Sequence, residues 1–504
     1  MGVLDPETLQ GLASEPRALG AACLATVIVY VASWMVYNLY FHPLASFPGP
    51  WLARSSLLWR VWHTTSGRIH LAIDEQHKRY GKVVRVAPNE LSFCSVDSWK
   101  AIYGHVSAQS PKPMVKSEFY DMYGSGYRSL CIGSERDPAR HRRMKQTLTT
   151  AFSTKALLEQ ESIVRSCVDE FVDAVGKASD ASPGGSGIDV TKWYEMLAFD
   201  ILGEMAFGES FNCVKDGKPH FWQQLILEHL FFVTVLDNLR RYPIVARIGK
   251  LLLPRFTVAI RDKHSGYSRN KVASRLAAES TRKDFLTSLV SKVQAGELDR
   301  EELTAHSSTL VIAGGETVAT FLAAVTFFLL RTPAAYDKLR AEIRTRYATA
   351  GDIDALTAQQ LPYLMAVISE GLRLYPPGSQ GFPRVSPGAV VDGVWVPPGA
   401  ECYTSAWSPT HDEAYFHDPY AFKPERWLDP DCTDVKEASQ PFSLGPRGCL
   451  GRNFAYVEMS LTLATLHFRY DLELVDDGLD WLQSSRVHVM WWKPELRVRF
   501  KERK

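Results

Sequence analysis

Apolar residues recur along most of this chain at helical spacing, and strand-like alternation is confined to a few short segments. A clear helical stretch, RNFAYVEMSLTLATLHF (452–468), contains no proline. Alternation suited to strands occurs in KVVRVAPNELSFC (82–94), AVVDGVWVPPGAECY (389–403) and the terminal VHVMWWKPELRVRF (487–500). The pattern predicts a mainly α protein with a small β-rich region.

The first of two long apolar runs is ALGAACLATVIVYVASWMVYNLYF (18–41), which has no formal charge. About 20 apolar residues in a helix cross a bilayer, whereas a cleaved signal peptide has an apolar part of only about 7–15 residues. Acidic residues predominate before the run and basic residues after it, which places the body of the protein in the cytosol. The predicted organisation is a short lumenal N-terminus (1–17), one transmembrane anchor (18–41), a proline-rich hinge (42–50) and one large body (51–504).

The second apolar run, LVIAGGETVATFLAAVTFFLL (310–330), carries Glu316 and Thr317 in its middle. A carboxylate at the centre of a bilayer costs about 2.5–3.5 kcal/mol or more, so a helix buried in the protein core is the better interpretation. Asp299 and Glu302 suit an amino-terminal cap, and the threonine hydroxyl can bond to a carbonyl one turn earlier. An acid and an alcohol on such a helix make a candidate proton relay beside a cofactor. The alternative is a threonine that only packs and a glutamate that only caps.

Composition narrows the class of protein. The 504 residues are 46% hydrophobic and 22% charged, as in globular proteins, and a net charge of +1 gives no electrostatic footprint for nucleic acid. The eight cysteines are far apart and form no CxxC pair. This argues against a disulfide framework or a structural zinc site and favours reduced thiols on the cytosolic side.

One cysteine lies in a specialised sequence, PFSLGPRGCLG (441–451). Cys449 precedes a predicted helix, whose free N–H groups and dipole favour a thiolate. Gly448 and Gly451 let the backbone turn sharply and approach a flat partner. Arg447 adds a cation suited to an anionic group, and Phe442 can shield the site from water. These properties suit an axial ligand of haem iron, and the alternative is a Gly/Pro turn that happens to contain a cysteine.

A charged pair and a distant arginine form another candidate constellation. Glu370 and Arg373 in SEGLRLYPP share one face of a helix that the two prolines end. Arg426 in FKPERWL is a further possible partner for Glu370. Such a pair is usually a surface ion pair worth under about 1 kcal/mol, and a triad of this kind would hold distant segments in register rather than perform chemistry.

The order of these motifs, AGGET, ExxR, PERW and FxxGxRxCxG across residues 313–451, resembles the cytochrome P-450 superfamily of haem-thiolate monooxygenases. The resemblance covers essentially the whole chain after the anchor, and the cysteine motif is highly specific. FHPLASFPGP (41–50) and DILGEMAFGESF (200–211) resemble microsomal fungal members that act in secondary metabolism. The implied fold has a long central helix, with haem b between this helix and the cysteine loop.

The resemblance implies a role for each matching residue. Cys449 would be the metal ligand, the axial thiolate of the haem iron, and Thr317 with Glu316 would be the catalytic pair that manages protons on the oxygen face. Glu370, Arg373 and Arg426 would form a structural triad behind the haem. The remaining cofactor-binding residues would be Arg447, Arg384, His141, Lys145, Phe442 and Gly451. His141 and Lys145 depart from the Trp and Arg that the family often has, and Val318 replaces a hydroxyl residue that commonly follows the threonine.

The implied reaction inserts one oxygen atom of O₂ into a C–H or C=C bond and releases the other as water. Electrons would come from NADPH through a separate reductase, with cytochrome b5 as an optional second donor, because the chain has no GxGxxG unit that opens a helix after a strand. A run of basic residues could be the docking site of an acidic redox partner. The alternative is that the run is only a solvated helix face with contacts to the haem carboxylates. Its residues are Arg136, Arg140, Arg142, Arg143 and Lys145. The implied location is the membrane of the endoplasmic reticulum, single-pass, with the haem-thiolate catalytic domain (51–504) in the cytosol.

Two other functions stay open at this point. A haem-thiolate enzyme could rearrange or dehydrate its substrate without activating O₂, although an intact Glu316–Thr317 pair weighs against it. A membrane-tethered binding protein without catalysis would fail to hold haem at all.

The substrate is the least determined part of the interpretation. By resemblance the pocket is lined by parts of 105–128, 200–235, 309–317, 376–383 and about 480–490. Their aromatic residues predict a hydrophobic, polycyclic or terpenoid-like substrate: Phe119, Tyr120, Phe231, Phe232 and Phe382. Its identity, the regiochemistry and the number of oxidations cannot be read from the sequence.

Overall fold

Helices form most of the chain in the computed structural model, which describes residues 6–106, 112–124, 126–242, 255–277 and 283–503. The α-helices, in chain order, are α1 (Pro6–Val36), α2 (Trp51–Ser55), α3 (Leu58–Thr65), α4 (Ile69–Tyr80), α5 (Val96–Tyr103), α6 (Pro138–Thr149), α7 (Thr154–Asp180), α8 (Val190–Phe207), α9 (Cys213–Asp216), α10 (Phe221–Arg240), α11 (Arg255–Ala277), α12 (Thr287–Gln294), α13 (Arg300–Leu330), α14 (Pro333–Arg346), α15 (Ala355–Ala358), α16 (Pro362–Leu374), α17 (Arg452–Arg469) and α18 (Trp481–Ser484). A π-helix, Tyr37–Phe41, continues α1. The prediction of a mainly α protein is confirmed.

The strands are short and form small sheets beside the helices. They are β1 (Val83–Ala87), β2 (Glu90–Phe93), β3 (Val115–Lys116), β4 (Ile188–Asp189), β5 (Arg384–Val385), β6 (Ala389–Val391), β7 (Val394–Val396), β8 (Glu401–Thr404), β9 (Tyr470–Leu474), β10 (Arg486–His488), β11 (Met490–Trp492) and β12 (Arg497–Glu502). The sheet orders are β1-β2-β8-β5-β3 and β4-β12-β9, with the hairpins β6-β7 and β10-β11. The terminal alternating segment is therefore not one strand, because a hairpin precedes β12.

Helix α13 runs through the core and packs chiefly against α8. Of its most apolar window 72% is buried, against 0% for the window in Leu19–Phe41. The prediction that the second apolar run is a core helix is therefore confirmed. The start of α13 differs from the prediction, because Asp299 stands at the N-cap position but uses its carboxylate elsewhere, where Oδ2 accepts a hydrogen bond from Ser129 Oγ at 3.0 Å.

The apolar N-terminal helix is tied to the body through the strand β1. Asn38 Nδ2 donates to Ser55 O at 3.0 Å, and the buried Arg85 guanidinium of β1 donates to Asn38 O at 2.8 Å. In the proline-rich segment, Pro48 O accepts a hydrogen bond from the Arg85 N–H at 2.7 Å. A Cβ on Gly49 would collide with the Arg85 carbonyl. The segment between helix and body is therefore packed on β1 and is not a free linker.

A cysteine-centred cavity as the candidate active site

A cavity of about 250 Å³ lies between the middle of α13 and the loop that precedes α17. The α13 wall consists of Thr309, Leu310, Ala313, Gly314, Thr317 and Val318. The opposite loop contributes Cys449, Gly451 and Phe442, all three predicted site residues. A second space of about 730 Å³ shares His141, Lys145 and Arg447 with this cavity and is also lined by Arg384. The structure thus brings the predicted ligand, the α13 threonine and the predicted cations to one place.

Cys449 lies three residues before α17, and its N–H donates to Phe442 O at 2.8 Å. The residue is exposed, but its open surface faces the cavity, and the surrounding chain encloses its sulfur. Burial raises the pKa of the Cys449 thiol, and the Gly451 N–H with the charges of Lys145 and Arg452 opposes this only in part. The expectation that the helix start favours the thiolate therefore does not hold for the free side chain, because desolvation outweighs it. A metal ion that binds the sulfur displaces its proton.

The tight turn of the cysteine loop lies earlier than expected. Ser443 and Gly445 have left-handed φ values of +57° and +66°. Gly448 and Gly451 have φ values of −59° and −82°, which many residues adopt. Among the described residues, no atom lies within 4 Å of a Cβ built on Gly451, which borders the cavity. Gly451 therefore leaves room for a flat partner, whereas Gly445 makes the turn.

Gly445→Ala is expected to destabilise this loop. An added Cβ would collide with the Tyr103 carbonyl, and a left-handed backbone alone costs a residue with a Cβ about 1–2 kcal/mol. Gly393→Ala is the matched control, because Gly393 has φ +77° and its Cβ would lie more than 4 Å from every described neighbour. Urea unfolding should show the larger loss of unfolding free energy for Gly445→Ala, and equal losses would contradict the collision.

Eight basic residues border the cavity and its neighbouring space. Five of them form the basic cluster: His141, Lys145, Arg384, Arg447 and Lys116. Burial, followed by the charges of Arg447 and Lys116, lowers the pKa of His141 to about 3. Burial and then Arg447 lower the pKa of Lys116 well below its usual value, and burial with Arg384 lowers that of Arg447 to about 10. Burial and mutual repulsion therefore disfavour the charged forms of these groups, above all His141 and Lys116, and an anionic ligand would favour them again.

Hydrogen bonds to neutral groups hold these basic side chains in place. Lys145 Nζ donates to Pro446 O at 2.8 Å, Arg447 Nη1 to Glu135 O at 2.9 Å and Arg384 Nη1 to the Tyr120 hydroxyl at 2.6 Å. Lys116 Nζ donates to Ile132 O at 2.7 Å. These contacts fix the positions of the side chains but provide no negative charge.

Thr317 and Glu316 are adjacent in sequence but serve different faces of α13. Thr317 borders the cavity, and its hydroxyl donates to Ala313 O at 2.9 Å, one turn earlier. Glu316 is buried behind the cavity, where its Oε2 lies 2.9 Å from Lys493 Nζ. The ammonium also lies 2.8 Å from Glu195 Oε1. The structure thus places the alcohol at the cavity and the acid in an ion pair behind it.

Glu370, Arg373 and Arg426 come together in the interior, where the first two side chains have 0% exposure. Glu370 Oε1 lies 2.8 Å from Arg373 Nη2 and 3.1 Å from Arg426 Nε. Trp427 Nε1 donates to Glu370 Oε2 at 3.0 Å, and Arg373 Nη1 donates to Thr410 O at 2.6 Å. This arrangement is a buried clamp between α16 and the later PERW segment, unlike the surface pair that such spacing usually gives.

The predicted substrate-pocket segments are only partly represented around the cavity. Parts of 105–128, 200–235 and 309–317 reach it, through Lys116, Leu202 and α13. Positions 107–111 and 125 lie outside the described residues.

The predicted pocket aromatics lie elsewhere in the described chain. Phe119 and Tyr120 are buried in the main core with ring centroids 5.4 Å apart, and Phe382 packs partly buried against the same core. Phe231 packs against His488 of β10, with ring centroids 5.1 Å apart. These rings therefore contribute to the apolar interior of the protein and do not line the cavity beside Cys449.

Comparison with known proteins agrees with this geometry. The family model described as Cytochrome P-450 matches residues 47–500. The chain belongs to the cytochrome P-450 family. Among curated P-450 relatives, monooxygenase ORF9 of Penicillium roqueforti (strain FM164) is 60% identical over 478 residues, which cover 94% of this chain and 92% of the relative. Monooxygenase BOT4 of Botryotinia fuckeliana is 51% identical over 501 residues, which cover 99% of this chain and 93% of the relative. The trichothecene C-15 hydroxylase of Fusarium sporotrichioides is 36% identical over 486 residues, which cover 94% of this chain and 96% of the relative.

Membership in the P-450 family fixes the general function. This chain is an oxygen-incorporating monooxygenase of the fungal secondary-metabolite type, with haem as its cofactor, a small molecule as its substrate and a redox partner as its source of electrons. The apolar helix at the N-terminus fits the membrane anchor of eukaryotic P-450 enzymes.

The residues at the cavity fit a haem. A cysteine sulfur able to bind iron lies on one wall, Gly451 leaves open space beside it, and the crowded basic groups, whose charged forms an anion would favour, suit the two haem carboxylates. Cys449 would hold the iron, and His141, Lys145, Arg384, Arg447 and Lys116 would hold the carboxylates. When bound, the haem activates O₂, and a thiolate ligand favours cleavage of the O–O bond.

Sequence interpretation missed Lys116. The residue lies on β3, directly opposite Arg384 of β5 in the sheet, so it enters the basic cluster through strand pairing. A single lysine outside any motif gives no local signal of such a role, since the pairing joins segments that are far apart in the sequence.

Lys116→Met is expected to weaken haem retention by about 10-fold, the lower end of what partners of bound groups contribute. The apoprotein should stay folded, because burial disfavours the Lys116 charge in the absence of an anion. The measurement is the haem-to-protein ratio after dialysis, with the circular dichroism spectrum as a check on folding. Lys100→Met, at an exposed position of α5, should have no effect, and an unchanged ratio in Lys116→Met would remove this residue from the haem site.

Proposed function

We propose that this P-450 hydroxylates or epoxidises a hydrophobic, polycyclic or terpenoid-like molecule in fungal secondary metabolism. The observation that carries the proposal is that Thr317 and Cys449 border the same cavity from opposite elements. A monooxygenase of this kind needs a thiolate that would hold the haem iron and an alcohol that handles protons at the same site. A relative named trichothecene C-15 hydroxylase supports hydroxylation as the reaction type.

The side chains at the site have distinct proposed roles. Cys449 would bind the iron, Phe442 and Gly451 would shape the space beside it, and the five residues of the basic cluster would hold the haem carboxylates. The Thr317 hydroxyl holds a proton at the oxygen-binding face, and Glu316 resupplies it. Glu370, Arg373 and Arg426 stabilise the fold around the cysteine loop and take no part in the chemistry.

Electrons are proposed to come from NADPH through a separate reductase, with cytochrome b5 as a second donor. Arg140, Arg142 and Arg143 are exposed on α6, while Arg136 and Lys145 are half-buried. The same helix reaches the cysteine loop, since Lys145 Nζ donates to Gly448 O at 3.2 Å. A partner with an acidic face that docks on α6 would therefore lie on the Cys449 side of the haem.

The proposed location is the endoplasmic reticulum membrane, with residues 18–41 as the single span. The supporting observation is that the stretch Leu19–Phe41 has 23 residues, a mean hydropathy of 2.0 and 0% burial in its apolar window. Residues 1–17 would then be lumenal, residues 42–50 would form the hinge, and the haem-thiolate domain 51–504 would face the cytosol.

The test supplies microsomes that contain this protein and a P-450 reductase with NADPH, isotopically labelled O₂ and candidate terpenoid and polycyclic metabolites. A product that is heavier by one labelled oxygen atom is the expected result. Conversion to a product of unchanged mass, or with loss of water, and without NADPH consumption would overturn the proposal. That outcome would favour rearrangement or dehydration instead.

Thr317→Ala should uncouple NADPH oxidation from product formation. Without the hydroxyl, protons reach the oxygen face less selectively, and a general acid contributes about 100-fold or more to such a step. We expect product per NADPH to fall about 10-fold and hydrogen peroxide release to rise. Thr317→Ser keeps the hydroxyl and should restore most of the coupling, whereas an unchanged product-to-NADPH ratio in Thr317→Ala would exclude the residue from proton delivery.

A further inference from the structure

Behind α13, two carboxylates share one buried ammonium group. Lys493 Nζ lies 2.8 Å from Glu195 Oε1 and 2.9 Å from Glu316 Oε2. The side-chain exposures are 1% for Lys493, 6% for Glu316 and 13% for Glu195. With all three groups ionised, this acidic cluster carries one uncompensated negative charge, which is unfavourable at such burial. The cluster is therefore suited to hold one additional proton.

The surrounding charges indicate which group takes that proton. Burial raises the pKa of Glu195, Lys493 opposes the shift, and the Glu316 carboxylate adds to it. Lys192 on the same helix is a further cation near Glu195. Burial lowers the pKa of Lys493, but the two carboxylates outweigh it and raise the pKa above its usual value, so the ammonium stays charged. The ammonium therefore keeps its protons, and Glu195 binds a proton more readily than a free glutamate does.

Glu195 is also the outermost member of the cluster. Gln223 Nε2 of α10 donates to Glu195 Oε2 at 3.2 Å. Glu195, Gln223, Gly315 and Glu316 all border a cavity of about 10 Å³, close to the smallest space that holds one water molecule. Gln223 Oε1 is buried without a hydrogen-bond partner among the described residues. A polar, water-sized space therefore connects the outer carboxylate with the inner one.

We propose that Glu195 and Lys493 are positioning residues of a proton path that leads through Glu316 to Thr317. Glu195 exchanges protons with solvent, and Lys493 holds Glu316 next to the water-sized cavity where it receives them. Because Glu316 directly precedes Thr317, a rotation of its side chain carries the proton around α13 toward the cavity that Thr317 borders. The inference rests on the proposed function, since insertion of one oxygen atom consumes two protons and two electrons for the water that leaves.

The decisive variant is Glu195→Gln, which keeps the size of the side chain but cannot carry a proton at its carboxyl oxygen. In membranes with reductase, NADPH and O₂, its rate of NADPH oxidation should fall about 10-fold, and the solvent deuterium isotope effect should rise. Glu195→Asp keeps the acid and should recover most of the rate. Oxygenation driven by hydrogen peroxide, which brings its own protons, should change less than about twofold.

Lys493 is tested by comparing Lys493→Arg, which keeps the cation, with Lys493→Met, which removes it. The first should retain the isotope effect of the wild type and the second should lose rate. All variants are compared only as material with an intact Soret band in the reduced, carbon-monoxide-bound form. If Lys493→Met does not fold, the comparison of Glu195→Gln with Glu195→Asp still tests the proposal.

Two negative results have different meanings. If the wild type makes an oxygenated product and Glu195→Gln keeps its rate and isotope effect, the proton path is overturned and the proposed function stands. If the wild type consumes no NADPH and inserts no oxygen, the proposed function fails, and the path has no reaction to serve.

Discussion

Cys449→Ser should lose the red-shifted Soret band that a haem thiolate gives in its reduced, carbon-monoxide-bound form. A serine hydroxyl does not supply the soft, electron-rich sulfur that this absorption requires. Turnover should fall by more than about 100-fold, since even groups that only orient a metal ligand contribute about 10–100-fold. Absorption spectra of purified protein and product formation with reductase and NADPH measure the two effects.

A second cysteine provides the control for this substitution. Cys432 is half-buried and lies outside the cavity, so Cys432→Ser should keep both the band and the activity. If Cys449→Ser retained full absorption and turnover, both the assignment of the iron ligand and the proposed chemistry would be wrong.

Arg373→Met should cost about 3–5 kcal/mol of unfolding free energy, the range found when one partner of a buried ion pair is removed. The substitution leaves the Glu370 carboxylate in full burial with fewer donors, and it removes the donor to the Thr410 carbonyl. Urea unfolding monitored by circular dichroism measures the loss, and the haem content of the expressed protein should fall with it.

The matched comparison is an arginine in an exposed pair. Arg469 contacts Asp173 at the surface with 37% and 52% side-chain exposure, so Arg469→Met should cost less than about 1 kcal/mol. Equal losses for the two variants would mean that the triad stabilises the protein no more than a surface pair does.

Local sequence information was enough for the elements around the cavity. The apolar run with Glu316 and Thr317 becomes the buried helix α13, and the uninterrupted period after Cys449 becomes α17. Both interpretations rest on spacing within one segment, which the chain itself fixes. The Thr317 bond to the carbonyl one turn earlier has the same local origin.

Relations between distant segments could not be obtained in this way. Glu316 pairs with Lys493, from the loop between β11 and β12, and shares it with Glu195 of α8, and neither Glu195 nor Lys493 stands in a recognisable motif. Lys116 likewise depends on the pairing of β3 with β5. These contacts are products of packing, and a single sequence has no period or motif that reports them.

The pKa of the Cys449 thiol could not be predicted from the sequence either. Sequence spacing places the cysteine before a helix start, which favours the thiolate, but the degree of enclosure is a property of the folded molecule. In the structure burial outweighs the favourable groups and raises the thiol pKa. The sequence indicates the groups that favour the thiolate, but the net effect on the pKa depends on how strongly the folded chain buries the sulfur.

The packing of Asn38, Pro48 and Gly49 on the Arg85 strand bears on how this enzyme meets other molecules. If the apolar helix spans the membrane as proposed, its attachment to the body would set the tilt of the whole enzyme relative to the bilayer. The α6 face proposed to receive electrons would then stay at a constant height, and a reductase anchored in the same bilayer would reach it by lateral diffusion, with little rotational search. Loosening this joint would slow electron delivery while leaving the haem pocket intact.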